Sequence, residues 1–450
     1  MGIKKYEIDF TEGKMLGKII AFALPIIFSG FMQTLFNVVD MMVVGRFVGN
    51  TALAAVGSTS SLINLLVQLF LGISMGVTIV VSQGYGAKDA EKMQKASHTA
   101  IAVSCIGGVF LAVVGVGLAR TILELMGSPS DVIDMATTYV RVYFAGMPLI
   151  LLYNFTSAIM RAYGDNKRPL YFLTLSGVLN VALNLIFVLG FHMSVAGVAI
   201  ATFASQGVAA FLNLHCLMRI ENACRIDLKK VRIFKKELLE ILRFGIPTGI
   251  QSTVFAVSNV LLQSAINSFG SATMAAHGAV NYMGNILGNI SNGVANTATT
   301  ACAQNYGAQN KDRIRKSWLT CLSGVGVVEL VFGVIGVAVI PLFMLIFTEE
   351  PETIAVGCYI AKYYIPFWFL GGIMSTSSSA LRGIGYSTVP MVVSICGTCV
   401  LRVIWIYTVF ASFRSLGVLY SVYPVTWGFT ALVQNVLFLY FFKKLRFEKA

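Results

Sequence analysis

Residues 244–310 read FGIPTGIQSTVFAVSNVLLQSAINSFGSATMAAHGAVNYMGNILGNISNGVANTATTACAQNYGAQN, 67 residues without one Asp, Glu, Lys or Arg. A helix that crosses a bilayer needs roughly 20 apolar residues, so this run holds two spans joined by a tight turn. Residues 169–218 form a second uncharged run, of 50 residues, with the same reading. The whole chain of 450 residues agrees: 56% is hydrophobic, 12% is charged and the mean hydropathy is +0.77. A soluble domain carries about a quarter charged residues. The chain therefore reads as an all-α, multi-pass membrane protein.

Working outward between the charged clusters, the sequence predicts about twelve spans. They start near Leu16, Thr51, Ser97, Thr138, Leu170, Val195, Glu240, Ser271, Ser317, Thr353, Val389 and Leu416. The first eighteen residues mix four lysines with three acids, show no cleavage site and read as a cytoplasmic lead-in. A net charge of +13 could suggest nucleic acid, but its distribution argues for topology. With both termini inside, 27 of the 33 Lys and Arg fall in cytoplasmic segments, and the outer loops hold only Arg46, Arg120, Arg141 and Arg414 against six acids. That asymmetry is the positive-inside rule, and it places the chain in an inner or plasma membrane. The eight cysteines sit in spans or cytoplasmic segments and suggest no disulfide framework. No connection is long enough for a soluble catalytic domain.

The chain repeats itself. SQGYGAKDAEKMQKA (82–96) resembles AQNYGAQNKDRIRKS (303–317), an offset of 221 that puts Gln83, Tyr85, Gly86 and Ala87 on Gln304, Tyr306, Gly307 and Ala308. The same offset places Arg161, Gly164 and Pro169 on Arg382, Gly385 and Pro390, Arg141 on Lys362, and Asn64 on Asn285. An offset of 222 brings Pro25 onto Pro247 and Asn37 onto Asn259. Each half has six spans, an even number, so the halves run the same way through the membrane as parallel repeats related by a pseudo-two-fold along its normal. The expected division is an N-lobe over 1–218, a basic cytoplasmic linker over 219–239 and a C-lobe over 240–450. Two similar six-helix lobes are a transporter architecture, with substrate bound between them and exposed alternately.

These motifs, taken in order, resemble the multidrug and toxic compound extrusion (MATE) family over almost the whole chain. The carrying residues are Pro25 and Asp40 in the first span, ALAAVG (52–57), MAAHGAV (274–280), QGYGA with QNYGA, and RAYGD with LRGIG. The resemblance implies efflux of bulky, often cationic, amphipathic drugs driven by H⁺ or Na⁺. It implies a first span that bends at Pro25 as Asp40 changes protonation. A monomer in the bilayer is expected, with no cofactor and no nucleic-acid partner. Two departures bear on the site. Some branches of the family place a glutamate in the seventh span and an aspartate in the tenth, where this chain has Phe255 and Gly371. Another branch pairs the first-span aspartate with an N-x-x-x-D pattern in the fifth span, which here reads Asn180 and Asn184.

Asp40 is thus left as the acid of the N-lobe spans. It lies some two dozen residues past Leu16, well into the first span. An intramembrane ionisable group costs about 2.5–3.5 kcal/mol on insertion scales and marks an ion or substrate path; the bland alternative is a carboxylate snorkelling at the helix end near Arg46. Gln33 and Asn37 precede Asp40 by seven and three residues, on the same helical face, so the aspartate belongs to a polar stripe. Asn180 and Asn184 share one face of the fifth span and are expected to line the cavity and reach Asp40, although interhelical amides also serve as packing glue. Asn154 is a further candidate for the cavity wall. Asn281, Asn285 and Asn289 make a similar ladder in the eighth span, read as glue and cavity wall. Glu329 is the second candidate acid, either functional or satisfied in the core by Lys362 or Arg402. Arg141 and Lys362 read as interfacial anchors.

Two enzymatic patterns dissolve in context. GISMG (72–76) matches a nucleophile elbow, which requires a strand–turn–helix; here it lies inside a span, where Gly72 and Gly76 read as a close-packing face. CGTC (396–399) lies in the eleventh span. The histidines 98, 192, 215 and 277 lack metal-ligand spacing, and no G-K-[ST] follows the Gly-rich loops. An ion gradient must supply the energy. The expected function is a secondary antiporter exporting amphipathic organic cations, H⁺-coupled before Na⁺-coupled, with a lipid-linked oligosaccharide flippase as the alternative. Neither an enzyme nor a channel fits the pattern.

Overall fold

The computed structural model describes residues 6–126 and 132–447, apart from the side chains of 50, 60–62, 64 and 65. The pairing of Asn64 with Asn285 therefore falls outside the described residues. Every regular element among these residues is helical. In chain order the helices are α1 Met15–Val43, α2 Asn50–Gly86, α3 Ala90–Leu125, α4 Ile133–Ala145, α5 Met147–Ala162, α6 Lys167–Leu185, α7 Ser194–Arg219 and α8 Lys235–Asn267. They continue with α9 Ser271–Gly307, α10 Lys311–Met344, α11 Pro351–Tyr364, α12 Trp368–Gly383, α13 Thr388–Ser394, α14 Leu401–Trp405, α15 Leu416–Tyr420 and α16 Val422–Lys444. Each of the twelve expected span starts falls within seven residues of a helix start. Ten helices or merged helices among the described residues are long and apolar enough to cross a membrane, eleven if the pair α4 and α5, bent by 47°, is one span. The remaining expected span, α9, is 37 residues long but rich in Asn, Ser, Thr and Gly, which lowers its hydropathy without shortening it.

The chain forms two compact units, one of residues 1–9 and 28–249, the other of 10–27 and 250–450. In the first, α5 is the central helix: Leu151, Phe155, Ala158, Ile159 and Met160 are completely buried. Glycines on α3 let it be approached closely, since a Cβ on Gly108 would stand 2.5 Å from Pro148 and one on Gly115 2.2 Å from the Phe144 ring. The opposite face of α3 presents Ile106, Val109, Phe110 and Val113, all more than half exposed. Such an apolar stripe fits lipid, since without a hydrophobic drive between spans the small residues make the contacts and the large ones face the bilayer. The segment after α7 also packs here. Asp227 N donates to His98 Nε2 at 3.1 Å, Phe234 N to Thr99 Oγ1 at 3.1 Å, and Lys92 pairs with Glu240 at 2.7 Å.

In the second unit α12 takes the central place, with Thr376, Ser377, Ala380 and Leu381 fully buried. The repeat read from the sequence recurs in backbone geometry. Gly49 and Gly270, 221 residues apart, have φ of +114° and +92°; Gly164 and Gly385 have +101° and +100°; Lys88 and Gln309 both have +55°. Asp89 caps α3 by accepting from Lys92 N, and Asn310 caps α10 by accepting from Arg313 N. Thr78 Oγ1 donates to Ala158 O at 3.3 Å, and its repeat partner Thr299 donates to Ser379 O at 3.4 Å.

The Gly-rich loops have a structural use that the sequence did not reveal. Gln304 Oε1 accepts from Phe10 N at 3.0 Å, while Asn305 Nδ2 and Arg313 Nε donate to Phe10 O at 3.2 and 2.9 Å. Phe10 itself is completely buried. The lead-in is thus held by the QNYGA loop. In the first unit Ile8 N donates to Gly164 O at 3.1 Å, and a Cβ at Gly164 would stand 2.3 Å from Ile8 O.

Candidate functional site

A cavity of about 230 Å³ opens within the first unit, and Gln33, Asn37 and Asp40 all stand on its wall. Spacings of four and three along α1 put the three on one helical face, so one helix delivers two amides and a carboxylate to the same space. α6 can reach them because it carries glycine where α1 carries a ring: a Cβ on Gly177 would lie 1.7 Å from the Phe36 ring. That approach brings the Asn180–Asn184 pair to the aspartate. Asn184 Nδ2 donates to Asp40 Oδ1, and also stands 3.3 Å from Asn180 Oδ1. Asn180 lines the cavity, whereas Asn184 lies behind the carboxylate, fully buried, with its Oδ1 unpartnered. The other carboxylate oxygen accepts from Thr202 Oγ1 of α7 at 3.3 Å.

Asp40 therefore has two neutral donors, and it takes part in none of the ion pairs among the described residues. A carboxylate held this way has no counter-charge among the described residues and faces the cavity. It can bind either a proton or a small cation, but the two compete for the same oxygens. The sequence reading did not find Thr202 and Gln206 of α7, nor Tyr139 and Tyr143 of α4, which also line the cavity. Both pairs are four apart in apolar helices, a signal that was legible but shared with ordinary packing.

The remaining candidates lie elsewhere. Asn154 does not stand on the cavity wall; its Nδ2 donates to Ile150 O at 2.8 Å, one turn back on α5. Pro25 is buried within α1, in the part belonging to the second unit. Glu329 is completely buried in α10, where its Oε1 accepts from Ser291 Oγ and its Oε2 faces Gly372. It pairs with neither Lys362 nor Arg402 among the described residues. Phe255, Asn281 and Asn285 line a separate cavity in the second unit, and Gly371 packs on the Trp427 ring.

Hydrogen bonds to a charged group contribute about 1.5–3 kcal/mol, so Asn184 should matter through Asp40. For Asn184→Ala we expect the KM for a compound that binds at Asp40 to rise about tenfold with kcat little changed, since about 1.4 kcal/mol is a factor of ten. Initial rates in proteoliposomes check this; a fall in kcat at constant KM would show that Asn184 acts otherwise.

The family model described as MatE matches residues 25–186 and 247–408. The two matches start 222 residues apart, the offset of the internal repeat. The chain is 32% identical over 389 residues to the probable multidrug resistance protein YoeA of Bacillus subtilis (strain 168), covering 83% of this chain and 82% of that one. It is 22% identical over 414 residues to the multidrug export protein MepA of Staphylococcus aureus (strain MSSA476), covering 92% and 91%. A solved structure titled as the outward-facing conformation of a multidrug resistance MATE family transporter of the MOP superfamily superposes with a TM-score of 0.91. It is 21% identical over 97% of this chain and 98% of that one, a likeness of fold.

Proposed function

Because this chain belongs to the MatE family, we propose that it is a secondary active multidrug antiporter, exporting amphipathic organic cations in exchange for H⁺ or Na⁺. The observation that carries the reading is the carboxylate of Asp40 on the wall of a cavity, bonded among the described residues by Asn184 and Thr202. A drug cation and a proton cannot both hold that carboxylate, and such exclusion is what exchange requires. The names of the relatives, a probable multidrug resistance protein and a multidrug export protein, support multidrug export. The protein works as a monomer in the inner or plasma membrane, with both termini cytoplasmic. Its transport lobes are 1–218 and 240–450, joined by the linker 219–239. Gln33, Asn37 and Asn180 contact the cargo and Asn184 orients Asp40. H⁺ is the expected partner ion, because a proton needs only the Asp40 carboxylate whereas Na⁺ needs a full set of oxygen ligands around it.

The deciding experiment is efflux of a cationic dye from proteoliposomes energised separately by a pH gradient and by a sodium gradient. Efflux with the pH gradient alone is expected; efflux with sodium alone would reverse the choice of ion, and efflux with neither would sink the antiport reading.

Pro25 supplies the bend. A proline inside a helix cannot donate to the carbonyl four residues earlier, here that of Ala21, and kinks are found at such places. For Pro25→Ala we expect a folded protein with cycling slowed about five- to tenfold, roughly 1 kcal/mol on the barrier. Turnover at the wild-type rate would leave the proline without a role in transport.

A further inference from the structure

The second unit encloses its own cavity, about 500 Å³, within the usual size range of small-molecule sites. On its wall stands Arg402 of α14, only 2% exposed. A guanidinium stays protonated in proteins, so its charge must be answered inside the unit. The structure answers it with neutral groups alone. Arg402 Nη1 donates to Asn259 Oδ1 at 2.7 Å and lies 3.4 Å from Ser258 Oγ, and the guanidinium carbon sits 5.1 Å from the centre of the Tyr423 ring. Its Nε is buried without a partner, and no carboxylate among the described residues pairs with it. Acids are scarce in this half: none occurs between Ile241 and Lys311, nor between Thr353 and Phe447. Glu329 is engaged by Ser291. A buried charge without a counter-charge is costly, and an anion entering the cavity would relieve it.

The rest of the wall says what else that anion carries. Tyr364, Trp368, Tyr423 and Trp427 form one aromatic cluster, with ring centroids 4.4 Å apart for Tyr364–Tyr423, 5.0 Å for Tyr364–Trp368 and 5.3 Å for Trp368–Trp427. All four line the cavity beside Arg402. Flat rings next to a guanidinium fork match a planar apolar body bearing a carboxylate, which takes two parallel N–H bonds from arginine. We propose that this cavity is a binding site for small aromatic carboxylates, distinct from the cation site at Asp40. The two cavities then have opposite polarity, one acidic and one basic, each within its own unit.

The test is equilibrium binding to the purified full-length protein in nanodiscs of neutral lipid, by calorimetry, with three probes of one shape: 2-naphthoate, neutral 2-naphthamide and cationic 2-naphthyltrimethylammonium. Naphthoate should bind at one site at least tenfold more tightly than naphthamide, with the ammonium weakest at that site. Arg402→Gln should bring naphthoate down to the naphthamide level, and Arg402→Lys should fall between. Should Arg402→Gln fail to fold, Trp368→Leu serves as the second variant, expected to weaken naphthoate at least fivefold while an aliphatic carboxylate of equal charge is little affected. Equal affinity for naphthoate and naphthamide in the wild type would overturn the proposal. So would loss of naphthoate binding on adding phosphatidylglycerol to the disc, which would give the site to a lipid headgroup. Binding is read without any ion gradient, so this result stands or falls apart from dye efflux.

Discussion

Asp40→Asn should abolish efflux driven by a pH gradient, by at least a hundredfold, in a protein that elutes and melts like the wild type. The side chain keeps its size, and an amide can still meet Asn184 and Thr202, the two groups that hold the carboxylate. What disappears is the carboxylate charge, and with it both the attraction for a cation and the proton site that the proposed exchange requires. An antiporter that carries one proton against one monovalent cation is electroneutral, so ΔpH is its whole driving force. Each pH unit contributes about 1.4 kcal/mol, roughly a tenfold gradient of cargo. With no carboxylate on the cavity wall, the proposed exchange has nothing to convert that gradient. Asp40→Glu keeps the titrating group and should retain partial activity, reduced because the longer chain carries its oxygens away from the donors on α6 and α7. The measurement is dye efflux from vesicles under an imposed pH gradient, with folding matched by size-exclusion chromatography. Wild-type efflux from the asparagine variant would move the coupling proton elsewhere, with Glu329, buried and bonded to Ser291, the next residue to test.

The helices and their order were legible because bilayer physics leaves little freedom: a long uncharged run has to be helical to satisfy its own backbone, and charge marks where it ends. The stripe Gln33, Asn37, Asp40 was legible for the same reason, since helical periodicity fixes what shares a face. What one sequence cannot convey is which faces meet. Thr202 reads as one hydroxyl in an apolar helix, and its part appears only where its Oγ1 meets Asp40; the α6 amides reach α1 because Gly177 lets α6 close on Phe36. Arg402 was a candidate partner for Glu329 in the core, a pairing absent among the described residues. It is buried because Asn259, Ser258 and Tyr423 converge on it from helices distant in the chain. The loops QGYGA and QNYGA pointed to the family, yet what QNYGA does, holding Phe10, depends on a lead-in that sequence spacing could not place.

Gly76→Leu should cost the first unit its fold. The sequence marked Gly72 and Gly76 as a close-packing pair, and their partner turns out to be a second pair at the same spacing, Gly245 and Gly249 of α8. A Cβ on Gly76 would lie 2.2 Å from Ile241 O, one on Gly72 2.2 Å from Gly249 N, and one on Gly245 2.5 Å from Ile73 Cα. Each glycine therefore faces backbone, which has no rotamer to turn away. Overpacking against side chains costs about 1–3 kcal/mol, occasionally more; against backbone the two helices must part over two turns, and the contacts around them go as well. Such contact is also where spans gain most, because small residues let helix backbones touch and lipid offers no competing hydrophobic drive. Gly117→Leu is the matched control, since nothing lies within 4 Å of a Cβ there. Expected is a monodisperse, heat-stable Gly117→Leu protein and a Gly76→Leu protein that aggregates or melts well below it in fluorescence-detected size-exclusion after heating. Equal melting of the two variants would mean that α2 and α8 are not held at backbone contact.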